Sequence, residues 1–311
     1  PENVRYAVIE LGANHPGENG MLARVVAASV GVVTSVGSDH LEGFGSILGV
    51  ARASAEVFAE LPSDGTAVLG LHGLLEGCRA FGESPEDCLA ALRGSGRAVS
   101  EVGGPNAVDG EVLADGVLLR TAHGTARLAL LGQHNLVNVA VAFRAATAAG
   151  VPAEVALRGL AAMRPVAGRL VSHAAGPHTV LDDSYNANPA SMLAGLAVLA
   201  ARPGRRLAVL GHMGELGVHA EAGNRQVGQD AAQHGLPLIT VGAAARSIGT
   251  AYRAAGGDDH EHHDDVPSAA AAVLQRLVAG PTTVLVKASR SAGLERIVER
   301  LTSAYSRTPT P

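Results

Sequence analysis

Tryptophan is absent, and aromatic residues make up only 3% of the 311 residues. That disfavours modules that grip single-stranded nucleic acid by stacking bases on rings. An excess of positive charge is missing too. The 24 basic against 29 acidic residues leave a net charge of −5, which argues against a phosphate-backbone partner. Only two cysteines occur, Cys78 and Cys88, with no CxxC pair, so neither a disulfide framework nor a paired-thiol metal or redox motif is available. This usage fits a reducing cytoplasm. No apolar run reaches the ~18 residues that a spanning helix needs. The opening PENVRYAVIELG has no signal-peptide organisation. It lacks Met and runs straight into a strand-like stretch, as a piece of a longer chain would. GxSxG, HExxH and GxxxxGK[ST] are all absent.

The chain is 47% hydrophobic and 17% charged, enough to bury a sizeable core. At ~150 residues per domain its length suggests two domains. Short β-branched runs alternate with Ala-rich helical patterns. Strands are expected at Tyr6–Leu11, Val30–Val36, Thr179–Leu181, Arg206–Leu210, Leu238–Val241 and Thr283–Val286. Apolar strands alternating with helices imply parallel sheets covered on both faces, an α/β fold. From about Thr66 to Leu131 the pattern reads instead as alternating strands. Asp-Gly turns at Val108-Asp109-Gly110 and Ala114-Asp115-Gly116 suggest a small antiparallel layer inserted in the first domain. Helices are expected over Asn135–Ala149 and Pro152–Met163. A boundary near Arg164–Gly168 divides the chain into 1–166 and 167–311. The tail Ser306–Pro311 reads as frayed. The acidic and His-rich run at 258–265 fits no standard ligand spacing and reads as a solvated loop. Cys78 and Cys88 read as structural.

Chemistry-bearing residues cluster where strands end, which in open α/β sheets is where ligands sit. Glu10 ends the first expected strand and could hold Mg²⁺, a hard cation that takes oxygen ligands. It could equally be a surface carboxylate. VGSDHLEGFGS follows the second strand, placing Asp39 and His40 at another strand end, where His40 could share a metal with Glu10 or simply be a hydrogen-bonded loop residue. In GQHNLVN, Asn135 and Asn138 are spaced to read a planar base edge, although Asn135 could merely cap the helix. LDDSYNANPAS ends a strand in Asp182 and Asp183 and opens a helix, with Asn188 at N-cap and Pro189 at N1. Such a polar loop suits substrate contacts as well as capping. VLGHMGELG repeats the strand, glycine turn and acid pattern. Lys287, Ser289 and Arg290 form a basic cluster that could bind carboxylate or phosphate.

ELGANHPGE, VGSDHLEGFGS, GQHNLVN, GRL, LDDSYNANPASM, VLGHMGELG and VLVKASRSAGLERIVERL together resemble the Mur ligases, in the family's order, from about residue 5 to residue 303. The resemblance implies the later part of a central ATPase domain (1–166; parallel sheet plus a small antiparallel layer). A Rossmann-like C-terminal substrate domain (167–311) follows it. It places an N-terminal domain and a P-loop ahead of this chain, so the isolated chain is expected not to use ATP. The DSYNANP loop is similar to that of members adding D-alanyl-D-alanine to UDP-N-acetylmuramoyl-tripeptide in peptidoglycan precursor synthesis, through an acyl phosphate. The resemblance thus implies ATP and Mg²⁺ as cofactors and these two small molecules as partners, with no nucleic acid and no membrane insertion. It assigns Mg²⁺ to Glu10 and His40, and the adenine side to His134, Asn135 and Asn138. It gives the γ-phosphate to Arg169 and a nucleotide-side acid to Asp183. Tyr185, Asn186 and Asn188 fall on the dipeptide side, with Ser289 and Arg290 near its carboxylate. The chain departs from the family's motifs at Ser54, where a lysine, often carbamylated, is usual, and at His212, Ala288 and Leu71-His72. These departures keep open a Mur-type ligase with another amine, or an inactive binding paralogue.

Overall fold

A computed structural model describes residues 3–38, 40–103 and 108–306. The chain divides into two compact units, Pro1–Val108 with Ala140–Ala156, and Asp109–Val139 with Leu157–Pro311.

In the first unit come α1 (Glu18–Val26), β1 (Val30–Val33), α2 (Leu41–Phe44), α3 (Ile47–Ala59), β2 (Thr66–Gly70), α4 (Leu74–Phe81), α5 (Pro85–Arg93) and β3 (Val99–Val102). The sheet is parallel, in the order β1-β2-β3, with Val30 opposite Thr66 and Ala67 opposite Val99. Its core is Val33, Phe58, Leu61, Leu69, Leu74 and Leu92, with both cysteines. Cys78 and Cys88 are fully buried, their sulfurs 3.6 Å apart as free thiols. Burial raises both thiols, Cys88 to about 12, so neither offers a thiolate nucleophile at neutral pH.

Two expectations fail here. The strand expected at Tyr6–Leu11 does not form: Tyr6 and Ile9 are exposed and Val8 completely so. An apolar run becomes a strand only when a neighbouring ladder satisfies its backbone, and no described strand pairs with it. The stretch after Thr66 is not a run of alternating strands either, because α4 and α5 occupy Leu74–Arg93 and β3 joins β2 in parallel. Ser84 caps α5 with Pro85 at its first turn. That helix-start signal is plain in Ser84-Pro85 once strands are not assumed.

The second unit opens with β4 (Gly110–Leu113), β5 (Gly116–Thr121) and β6 (Gly124–Leu128). They form an antiparallel sheet, joined by two-residue loops at Ala114-Asp115 and Ala122-His123. The Asp115-Gly116 turn is as expected. Val108-Asp109-Gly110 is not a hairpin turn, since β3 belongs to the other sheet. Helix α6 (Gln133–Ala148) runs from this unit into the first, and α7 (Ala153–Ala161) follows. Then come β7 (Val171–Ala175), β8 (His178–Asp183), α8 (Pro189–Ala200), β9 (Arg205–Leu210), α9 (Ala220–Gln233), β10 (Leu238–Val241), α10 (Arg246–Ala254), β11 (His260–His263), α11 (Val266–Leu277), β12 (Thr282–Lys287) and α12 (Glu295–Ser306).

These strands make one six-stranded sheet, β11-β10-β9-β12-β8-β7, antiparallel only at β7–β8. One face packs on α8, α9 and α10 through Met192, Leu196, Val227 and Ile248. The other packs on α11 and α12 through Val273, Leu277, Ile297 and Leu301. The chain skips from β8 to β9, and β12 later fills the gap between them. The carboxyl ends of β8, β12 and β9 thereby lie side by side. The 258–265 run is not a loop: it supplies edge strand β11, paired with β10. Thr240 of β10 hydrogen-bonds both His260 and His262, and Arg276 of α11 pairs with Asp259 and Glu261.

Candidate active site

Glu10 is exposed and does not end a strand, which removes the premise that placed it. His40 is half-buried, in the left-handed region at φ 53, as N-cap of the single-turn α2. The two segments do meet, because a Cβ on Gly43 would lie 1.8 Å from the Asn14 carbonyl oxygen. The loop between them and α1 is held by carboxylates. Glu18 accepts from the backbone N–H groups of Asn14 and His15, at 2.7 and 3.1 Å, and Glu56 accepts from Gly17 and Gly20, at 2.8 and 2.9 Å. The Asn14 and His15 donors hold Glu18 below the usual carboxylate range. Ser54 is half-buried on α3. Asp39 lies outside the described residues.

No group of three or more His, Cys, Asp or Glu among the described residues could cage a metal. An ion completed by phosphate oxygens and water needs only one or two protein ligands, so a site of that kind would not show as such a group. The 258–265 run forms no such group either, and its residues 259–265 are engaged within the fold.

In the second unit, Asn135 is the third residue of α6 and not its cap. Its amide donates to the Leu131 carbonyl at 2.9 Å. Asn138 is exposed and donates to the Asn135 amide oxygen at 3.3 Å, which leaves its own oxygen and a second N–H for a planar base edge. His134 is half-buried beside it.

The densest arrangement lies beyond β8 and β12. Asp183 ends β8, opposite Lys287 at the end of β12. The Lys287 ammonium lies 2.7 Å from the Asp183 carboxylate and donates to the Asn186 carbonyl at 2.9 Å. At 2% exposed, Lys287 is no free basic group, contrary to the cluster read from the sequence. Ser289 is likewise buried. It accepts from Gly214 N–H at 2.7 Å and donates to the Ala187 carbonyl at 3.3 Å. Its hydroxyl therefore ties the β9, β8 and β12 loops together and has no proton left to donate. Asp182 accepts from the Ser184 hydroxyl at 2.6 Å. Asn188 caps α8 in a reciprocal capping box with Ser191, with Pro189 in the first turn, and the Asn186 side chain accepts from Ala187 N–H.

Three residues stand clear of this lattice. Tyr185 is 43% exposed, and the guanidinium carbons of Arg169 and Arg290 lie 4.3 and 5.3 Å from its ring centroid. The sequence singles out all three but carries no signal for their meeting, because Arg169 and Arg290 lie 16 and 105 residues from Tyr185, far beyond the three or four residues over which spacing rules reach.

Two family models match the chain, the Mur ligase middle domain over residues 1–146 and the Mur ligase glutamate ligase domain over 168–290. The UDP-N-acetylmuramoyl-tripeptide–D-alanyl-D-alanine ligase of Escherichia coli K12 is 35% identical over 310 residues, covering 95% of this chain and 65% of that protein. A crystal structure of MurF from Acinetobacter baumannii, 27% identical, superposes with a TM-score of 0.84 over 97% of this chain and 66% of its own. MurF ligase from Thermotoga maritima in complex with ADP, 21% identical, shares the fold at a TM-score of 0.73, over 96% of this chain and 67% of that one. The chain thus spans about two thirds of the length of these relatives. With Mur ligase models matched along most of its length, and the Escherichia coli relative and the Acinetobacter baumannii structure both MurF enzymes, the chain belongs to the Mur ligase family and is MurF-like.

Proposed function

We propose that this chain is the nucleotide- and amine-handling part of an ATP-dependent amide ligase that adds D-alanyl-D-alanine to UDP-N-acetylmuramoyl-tripeptide, a cytoplasmic step of peptidoglycan precursor synthesis. The observation that carries it is the loop from Asp183 to Asn188, with Arg169 and Arg290 on Tyr185, in a chain 35% identical to a protein named for that reaction. We assign residues 1–166 to part of the central ATP-binding domain and 167–311 to the C-terminal substrate domain.

In this reading the tripeptide carboxylate attacks the γ-phosphorus of ATP, the bond to the β,γ-bridging oxygen breaks, and an acyl phosphate forms as ADP leaves. The dipeptide amine then attacks the acyl carbon, the acyl–oxygen bond to phosphate breaks, the amide forms, and the amine's proton leaves with the phosphate or to water. The amides of Asn135 and Asn138, with His134, read the adenine edge. Arg169 has no carboxylate partner among the described residues, so its charge is available to the γ-phosphate oxygens. Glu10 and His40 are the residues that would hold Mg²⁺, which when bound offsets phosphate charge. Tyr185, Asn186 and Asn188 line the dipeptide side, and Arg290 faces the dipeptide carboxylate. Ser289 supports that contact through its ties to Gly214 and Ala187. Asp183 is the nucleotide-side acid, and Lys287 fixes its carboxylate. The MurF of Thermotoga maritima was solved with ADP, in keeping with a nucleotide site in this fold.

The test is ADP release by the product of the full reading frame that encodes this chain. Release is expected only when UDP-N-acetylmuramoyl-tripeptide and D-alanyl-D-alanine are both present. Equal release with either substrate left out, or with other amines in place of the dipeptide, would overturn the assignment.

A further inference from the structure

Arg169 and Arg290 come from segments far apart in the chain, yet their guanidinium carbons lie 4.3 and 5.3 Å from the centroid of one ring. Both distances fall within the roughly 6 Å over which a ring quadrupole attracts a cation. Neither guanidinium has a hydrogen bond or ion pair with any described residue. Two like charges gathered on one ring repel each other.

The backbone enforces the arrangement. Gly168 is buried at φ +72, its carbonyl accepts from the Tyr185 N–H at 3.1 Å, and a Cβ there would stand 3.0 Å from the Tyr185 Cβ. Leu170, on the other side of Arg169, is 5% exposed and also left-handed, at φ 55. Arg169 is thus pinned at both flanks while its side chain stays exposed. Arg290 directly follows the buried Ser289 and opens a short 3-10 turn, Arg290–Ala292. The ring itself is 43% exposed, so packing into the core does not explain its place.

We propose that Tyr185 is a positioning residue: its ring seats Arg169 and Arg290 together, so that two otherwise unpaired guanidinium groups are held ready for an oxyanion of the substrates. The role is carried by the ring face, not by the phenol hydroxyl. It rests on the ligase reading only for which oxyanion arrives, a carboxylate or a phosphate. Without the ring, each arginine loses its seat, and an incoming anion must order two long, free side chains on binding.

The experiment uses this 311-residue chain with Tyr185→Phe and Tyr185→Leu. Arginine Nε–H resonances report the seating directly, because protons over a ring face are shifted upfield. Two displaced Nε–H signals are expected in the parent and in Y185F, both returning to the ordinary position in Y185L. Titration with D-alanyl-D-alanine and, separately, with inorganic phosphate identifies the anion. Y185L should weaken the recognised anion by roughly 5- to 30-fold, and Y185F should retain most of the affinity. Thermal melting controls for folding, and little change is expected for a residue this exposed. The proposal is overturned if the parent shows no displaced pair, or if Y185L binds the anion as tightly as the parent. Displaced signals with binding of phosphate but not of dipeptide would support the seat and place the phosphate there. Displaced signals without binding of either anion would overturn the proposal, since the seated arginines would then serve no oxyanion.

Discussion

Lys287 is the only lysine of the chain, and it is 2% exposed against Asp183. The other 23 of its lysine and arginine side chains are arginine. A compact ammonium can meet the Asp183 carboxylate and the Asn186 carbonyl in a space that a planar guanidinium fork does not match. Removing the cation strands a buried carboxylate. Lys287→Met is therefore expected to lower the unfolding free energy by about 3–5 kcal/mol, measured by urea denaturation. Lys287→Met with Asp183→Asn should recover most of that loss, since no charge is then left buried. Equal losses in the single and double variants would show that the pair is not coupled. The pair illustrates what the sequence could and could not convey. The capping of α8 by Asn188 was legible because all its partners lie within three residues. The engagement of Lys287 was not, because its partners Asp183 and Asn186 become neighbours only when β12 inserts beside β8.

Elements were legible where their signals were local and strong. Strands β8, β9, β10 and β12 were expected from apolar β-branched runs, and all formed. Tyr6–Leu11 carries the same signal and forms no strand, since pairing decides a strand. HEHH of β11 carried none, and formed because β10 offers a ladder and an edge strand tolerates polar side chains. Helix ends depend on similarly remote groups. Glu83, between α4 and α5, accepts from the first two N–H groups of α3, Ile47 at 2.7 Å and Leu48 at 2.8 Å. Ser46 caps the same helix through Gly49 N–H. Glu83→Ala is expected to cost about 1–2 kcal/mol, read as a fall in the urea midpoint, and Glu83→Gln less than half as much. A second element-level effect is set by pH. His178 opens β8, is 4% exposed, and accepts from Thr282 N–H of β12. Burial pushes it below its ordinary value, so the folded state favours the neutral ring. The stability tied to it is present above the unfolded value near 6.5 and is lost as pH falls from there through the folded value. His260 of β11 is also lowered, first by burial and next by Arg253, and acts in the same sense. Melting temperatures should thus drop between pH 7.5 and pH 5.5. The drop should shrink in His178→Gln, and an unchanged drop there would assign the effect elsewhere.

At the scale of the whole molecule, the seven ordered motifs made the family legible before any single site was secure. Their order is a property of the entire chain and survives local error: Glu10 was expected at a strand end and is not, yet ELGANHPGE still meets the α2 segment at Gly43 and Asn14. What motifs cannot supply is a part that is not among them. Phosphoryl transfer is catalysed by positioning and charge, and in P-loop enzymes a GxxxxGK[ST] backbone and its lysine cradle the β- and γ-phosphates. None of these 311 residues forms that motif, and the single lysine is committed to Asp183. Arg169, Asn135 and Asn138 could still contact a nucleotide without moving its γ-phosphoryl group. The isolated chain, given ATP, Mg²⁺, D-alanyl-D-alanine and UDP-N-acetylmuramoyl-tripeptide, is therefore expected to release no ADP above buffer in a coupled assay, while retaining nucleotide binding measurable by calorimetry. Mg²⁺-dependent ADP formation by the 311 residues alone would mean that another part of this chain cradles the phosphates. Absence of both turnover and binding would move the nucleotide contacts away from His134, Asn135 and Asn138.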